Sequence, residues 1–198
     1  MFNNTIAGCT YNLPNCEAIY WNGLSITSVL TFNANALKFI GSSFIIGANA
    51  TISMTSLETI QGNLTFQGTP PTTFTNNSLL IIGGGLNYTG ANMTSITLDN
   101  LKIVGSVNLS PSTGANLFTT FSFNNIKEVL GNFTTNTTIG LSQASVDHIL
   151  VKLAALDGTN GTARYQNKTV TVRGAAPSAT GLTAKATLIA RGCTVTTS

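Results

Sequence analysis

Five short stretches of this chain, LKFIGSSFII, LETIQGNLTF, LLIIGGGLNY, LKIVGSVNL and IKEVLGNFTT, each set a glycine among alternating apolar and polar positions. The glycines are Gly41, Gly62, Gly84, Gly105 and Gly131, spaced 21, 22, 21 and 26 residues apart. An apolar residue stands two positions before each one (Phe39, Ile60, Ile82, Ile103, Val129), and in the last four another stands two after (Leu64, Leu86, Val107, Phe133). Phe66, Tyr88 and Leu109 stand four after in the middle three. Period-two alternation puts these side chains on one face, so each stretch predicts a strand with that face buried.

A strand that returns every ~22 residues cannot bury its face alone, so successive coils must stack into a parallel solenoid. The glycine suits a bulge or a tight corner. Between the strands lie Thr, Asn, Gly and Pro-rich returns such as QGTPPTTFTNNS and SPSTGANLFTTFS, in which Phe74, Leu117, Phe121 and Phe123 are expected to point back inside. The 26-residue step predicts an outward loop around 110–118.

The last quarter changes rhythm. In SQASVDHILVKLAALDG, Val146, Ile149, Leu150, Leu153 and Leu156 recur at helical spacing, with Ser145 as N-cap and Gly158 past the end. KTVTVRG predicts a strand, APSATGLTAKATLIARG a second helix with Leu182, Ala186 and Ile189 on one face, and CTVTTS a final strand. The fold expected is therefore mainly β: a parallel β-solenoid closed by a C-terminal α/β cap. It divides into an N-terminal arm or cap (1–23), the repeat solenoid (24–141) and a helix-strand-helix-strand cap (142–198).

Composition sharpens the surface more than the fold. Only 8% of the 198 residues are charged, against roughly 25% in a typical soluble domain, so the surface is polar and uncharged. From His148 onward Lys152, Arg164, Lys168, Arg173, Lys185 and Arg191 face one acid, Asp157, while the preceding residues hold three basic against five acidic groups. These basic residues are dispersed and barely interleaved with aromatics, which reads as a solvated face, not a nucleic-acid surface. No apolar run reaches the ~20 residues of a membrane span, and the N-terminus has no signal-peptide pattern. Eleven Asn-x-Ser/Thr triplets stand in the chain. In Asn63-Leu64-Thr65, Asn87-Tyr88-Thr89, Asn108-Leu109-Ser110 and Asn132-Phe133-Thr134 the middle residue is an inward strand position, so strand geometry generates these four without any sugar.

The repeated phrase L-x-x-I-x-G-x-L-x-F resembles irregular leucine-rich-repeat-like solenoids of the receptor L-domain and bacterial surface kind over about residues 24–140, without the asparagine ladder of orthodox members. The run from Val146 to Ser198, with D-x-IL, NGT, AAPS, L-x-A and a terminal VTT in order, resembles a C-terminal module of phage structural and tail-fibre-like proteins. Cys193 stands there where that pattern has tryptophan. These resemblances imply a non-enzymatic virion component of fibre or adhesin type. Its implied partners are other virion proteins and a host surface glycan or protein, and homotrimerisation is the family expectation. A capsid decoration or collar subunit and a bacterial cell-surface adhesin are the alternatives.

Candidate chemistry is sparse. The six acids, Glu17, Glu58, Asp99, Glu128, Asp147 and Asp157, stand out of register relative to the repeat glycines. With Lys38, Lys102 and Lys127 at the same corner they read as a mixed-sign ladder and not as a glycan-cleaving carboxylate set. His148, the single histidine, reads as structural, and no cofactor or metal motif is present. Trp21, Tyr20 and Tyr11 form either a sugar-stacking platform for receptor or glycan contact or an apolar plug at the N-terminal end. Cys9 and Cys16 either bridge a short loop in an oxidising compartment or remain thiols.

Overall fold

The computed structural model describes residues 2–4 (backbone), 10–20, 23–27, 31–47, 49–111, 117–135 and 140–197. Its strands are short and every strand pairing described is parallel. After β1 (Phe2–Asn4), each coil carries a return strand, a corner strand and a front strand. These are β2 (Thr10–Asn12), β3 (Ala18–Ile19) and β4 (Leu24–Ile26); then β5 (Thr31–Asn33), β6 (Phe39–Ile40) and β7 (Phe44–Ile46). Next come β8 (Thr51–Ser53), β9 (Thr59–Ile60) and β10 (Leu64–Phe66). In the following two coils corner and front merge: β11 (Thr73–Thr75) leads to β12 (Ile81–Tyr88), and β13 (Ser95–Thr97) to β14 (Ile103–Leu109). The last repeat coil holds β15 (Thr120–Ser122), β16 (Glu128–Val129) and β17 (Phe133–Thr135).

Stacking aligns like residues. On the front, Leu24, Phe44, Leu64, Leu86, Val107 and Phe133 follow one another in register, and Ile19, Ile40, Ile60, Ile82, Val104 and Val129 do so at the corner. All but the first-coil Ile19 are buried. The chain is therefore mainly β and solenoid-like. Its pairing begins earlier than the glycine pattern suggested: β2 and β3 pair with β5 and β6, so Tyr11 and Ile19 extend the inward columns into the segment read as an arm or cap.

The glycines serve close stacking. A Cβ on Gly62 would stand 2.6 Å from the Ser43 nitrogen, and one on Gly105 would run into the Gly84 carbonyl oxygen. Both neighbours are backbone and cannot swing aside, so a side chain there would force the coils apart. Aligning the chain on glycines nevertheless slips the register twice. Inward positions are four residues apart in most coils (Ile40 to Phe44, Ile60 to Leu64) but three apart in β14 (Val104 to Val107), opposite the irregularity between Ile82 and Gly85. Gly41 likewise falls one position before the column of Gly62. Ile40 and Val104 are accordingly buried where Phe39 and Ile103 were expected, because a one-residue slip exchanges faces.

Returns behave less uniformly. Phe74, Phe121 and Phe123 turn inward, whereas Leu117 is 50% exposed and its neighbour Phe118 takes the core position. Most of the anticipated loop, residues 112–116, lies outside the described residues. The back strands form two separate sheets, β2-β5-β8 and β11-β13-β15, while the front sheet runs unbroken.

Beyond the repeats come α1 (Gln143–Ala154), β18 (Thr169–Val172), α2 (Ala179–Ala190) and β19 (Thr194–Thr197), the order the sequence predicts. β18 and β19 extend the front sheet from β17. The N-cap of α1 is Ser142, whose hydroxyl accepts from the Ser145 nitrogen at 3.3 Å. Ser145 lies inside the helix, buried, and its hydroxyl accepts from the Phe121 nitrogen at 3.3 Å. On α2 the buried residues are Gly181, Ala184 and Leu188, so the face written Leu182, Ala186 and Ile189 points outward. Small residues win the inward side because α1 approaches closely there: a Cβ on Gly181 would stand 2.9 Å from Pro177 Cβ and would clash with the Asp147 carboxylate.

Candidate interaction surface

The sequence-selected residues separate. Tyr20 is 66% exposed, its ring tilted against Phe39 at 5.4 Å. Tyr11 pairs in register with Phe32 and packs against the core, so it belongs to an inward column and not to a platform with Tyr20. Trp21 lies outside the described residues. Cys16 is half-buried against the core, with its sulfur 3.7 Å from the Ala18 carbonyl oxygen, and Cys9 lies outside the described residues.

The charged corner is a ladder of backbone hydrogen bonds. Lys38 donates to Glu17, Glu58 to Lys38, Leu80 to Glu58, Lys102 to Leu80 and Lys127 to Lys102, all at 2.8 to 2.9 Å. Glu17 and Lys38 form an ion pair at 3.4 Å in which both side chains are more than half exposed, so its contribution is small. Glu58 stands in this column, Glu128 one position on beside Ile103, and Asp99 in the preceding turn, where it accepts from the Ser122 hydroxyl. No three acidic, His or Cys side chains cluster among the described residues.

His148 is fastened to the back sheet. Its Nε2 accepts from the Phe123 nitrogen at 3.1 Å, and its ring meets Phe123 edge-on at 5.4 Å. Burial lowers its pKa, Lys152 lowers it further, and Asp99 opposes both. Two residues of α1, Ser145 and His148, thus supply acceptors to amides of the coil that carries β15, the last back strand. Neither role shows in the pattern of apolar positions, since both are polar contacts between segments some 24 and 25 residues apart.

The largest continuous feature is the outer front face. Ser25, Ile45, Thr65, Asn87, Asn108, Thr134, Thr171 and Thr196 stand in one register across eight strands, with successive strands about 4.8 Å apart; Ser25, the first, is buried, and the accessible run begins at Ile45. No member is charged and one, Ile45, is apolar. Some neighbours are committed to the backbone: Asn63 Oδ1 accepts from the Gly85 nitrogen at 2.6 Å and Asn132 Oδ1 from the Thr169 nitrogen at 2.9 Å. Ser106, Val107, Asn108, Asn132 and Thr134 line a shallow cleft of about 270 Å³ on this face.

Comparison with protein-family models, with characterised proteins and with solved structures finds no match for this chain. A second cleft, of about 360 Å³, opens on the back where β8 and β11 fail to pair, between Ile52, Ser53 and Met54 on one side and Phe74, Thr75 and Asn76 on the other. Its tight end is bridged by Asn76, whose Nδ2 donates to the Met54 carbonyl at 3.1 Å while Oδ1 accepts from the Ser78 and Leu79 nitrogens at 3.0 and 2.9 Å. This is one buried asparagine, bonded to three backbone groups, in a chain whose repeats otherwise put Leu, Met, Ala or Phe at that column.

Proposed function

We propose that the protein is a non-enzymatic structural component of fibre or adhesin type, in which the stacked coils hold the outer front face toward an uncharged polar partner. The observation that carries this reading is the register of hydroxyl and amide side chains from Thr65 to Thr196, a regular array without formal charge. Such an array offers hydrogen-bond donors and acceptors at a repeat of about 4.8 Å and has no counter-charge for an acidic or basic ligand. Neutral glycan hydroxyls, or a polar protein surface, match it in chemistry. Tyr20, exposed at the adjoining corner, adds a ring that can stack on a sugar face.

In this reading the segment from 142 onward is the cap of the solenoid: β18 and β19 continue the front sheet, and α1 covers the edge of the back sheet. The phage-like pattern of that segment supports a virion setting. A neutral-glycan array probed with the full chain and with Thr65→Lys/Asn108→Lys tests the reading. Binding by the parent that the two lysines abolish supports it. Absence of binding to every neutral glycan, with the protein co-purifying as a stoichiometric particle shell subunit, would move the assignment to a capsid decoration or collar role.

A further inference from the structure

The back of the solenoid repeats a second pattern that the inward columns do not explain. Each back strand has three residues, an apolar or aromatic one turned inward between two outward positions. Both outward positions hold Thr, Ser or Asn on every one: TYN, TFN, TIS, TFT, SIT and TFS. In β11-β13-β15 all of them are hydroxyls. Thr73, Ser95 and Thr120 stand in one register and Thr75, Thr97 and Ser122 in the next, so the six form a two-column grid.

Strand preference alone does not produce this grid. Threonine suits any strand, yet the front sheet, under the same demand, turns Ile45, Asn87 and Asn108 outward at the centre of its strands. Nor does the fold use most of these hydroxyls. Ser122 donates to Asp99 and Thr120 lies 3.5 Å from the Thr119 hydroxyl, while the other four make no side-chain hydrogen bond among the described residues. All six are exposed or half-exposed, and no outward position of the back strands is charged. The β2-β5-β8 sheet is less regular: Thr10, Thr31 and Thr51 make one hydroxyl column, but beside it Asn33 donates to Asn12 at 2.9 Å.

The grid repeats in two directions. Along the solenoid axis hydroxyls recur at the strand spacing of about 4.8 Å, and residues two apart on a strand are separated by about 6.6 Å. These distances lie close to the two oxygen repeats on the prism face of hexagonal ice. β-branched threonine has few χ1 states, so its oxygen is held in place before anything binds and little freedom is lost on contact. Neutrality suits the same ligand, because an ion orients water radially about itself and a tetrahedral lattice cannot accommodate that shell.

We infer that the β11-β13-β15 face binds ice, its six hydroxyls taking lattice positions at the crystal surface. A soluble sugar chain repeats along one line, whereas a grid with two repeats matches a crystal face. The inference stands independently of what the front face binds.

Nanolitre osmometry on the full chain tests it, with a single ice crystal watched under the microscope. The account expects a hysteresis gap, freezing held below melting, and a faceted crystal. Thr75→Tyr/Thr97→Tyr sets two large rings on the grid at sites where tyrosine is a good strand former. It should abolish both effects with far-ultraviolet circular dichroism unchanged. Thr180→Tyr, exposed on α2, should leave them intact. A round crystal that grows at the melting point in the presence of the parent chain would overturn the inference. So would a hysteresis gap that survives the double substitution or is lost equally in Thr180→Tyr, or adsorption to microcrystalline cellulose without any effect on ice.

Discussion

Front and back of the coils carry similar residues yet differ in continuity. The front sheet runs from β1 to β19 without interruption, whereas the back strands divide into β2-β5-β8 and β11-β13-β15. The difference traces to the length of the return. From Ile26 to Phe32 and from Ile46 to Ile52 the chain takes six residues, but from Phe66 to Phe74 it takes eight, through Pro70 and Pro71. Coils that superpose residue for residue keep their ladder of hydrogen bonds. Where the return lengthens, two prolines that cannot donate precede a strand displaced from its neighbour, and a cleft opens. Side-chain hydrogen bonds from Asn76 and Ser78 then replace part of the missing ladder.

If stacking is tight on the front and looser on the back, substitutions should rank accordingly. The largest loss is expected at Gly62→Val, where the new side chain meets Ser43 backbone at contact distances that nothing can relieve. A cost above ~3 kcal/mol in urea denaturation, the upper end of overpacking effects, is the expected outcome, and a near-neutral result would show that the coils can separate locally. At the break, Asn76→Ala removes acceptor and donor for three buried or half-buried backbone groups, so ~2–3 kcal/mol is expected. Asn100→Ala, in an exposed position where the amide donates to the Asn77 carbonyl, should cost about 1 kcal/mol or less. Equal effects at the two asparagines would remove the distinction between a bridged break and ordinary surface hydrogen bonding.

The smallest effect concerns pH. Burial holds His148 neutral in the fold, below its ordinary value, while the unfolded chain takes up the proton near a pKa of about 6.5. The unfolded state therefore binds more protons in that window, and stability falls as pH drops from above that value through the folded one. His148→Gln, which keeps an acceptor for the Phe123 nitrogen, should flatten the change in urea midpoint between neutral and mildly acidic pH. An unchanged slope would assign the titration to another group.

Much of the front was legible because period-two alternation is a local property: Ile60, Leu64, Phe66, Ile82, Leu86 and Phe133 are buried where the pattern puts them. The error at Phe39 arose because Gly41 stands one position before the column of Gly62, and that at Ile103 because the inward positions of β14 are three residues apart and not four. The outward turn of Leu182 and Ile189 was hidden because close helix packing selects Gly181 and Ala184 over larger apolar residues. On the candidate surface, the neutral composition was evident, and the alignment of Ser25 through Thr196 required knowing which strands are neighbours. The split of Tyr11 from Tyr20 likewise follows from the first coil's pairing, which the glycine phrase does not reach.

Methyl-to-methyl nuclear Overhauser contacts test parallel, residue-for-residue stacking most directly. The account predicts contacts between Ile60 and Ile82, Ile82 and Val104, and Val104 and Val129, whose partners are registered in that order. It predicts none of comparable strength between Ile60 and Val104, two strands and about 10 Å apart. A contact from Ile60 to Val104 as strong as that to Ile82, or Ile60 meeting Leu86 in place of Ile82, would contradict it.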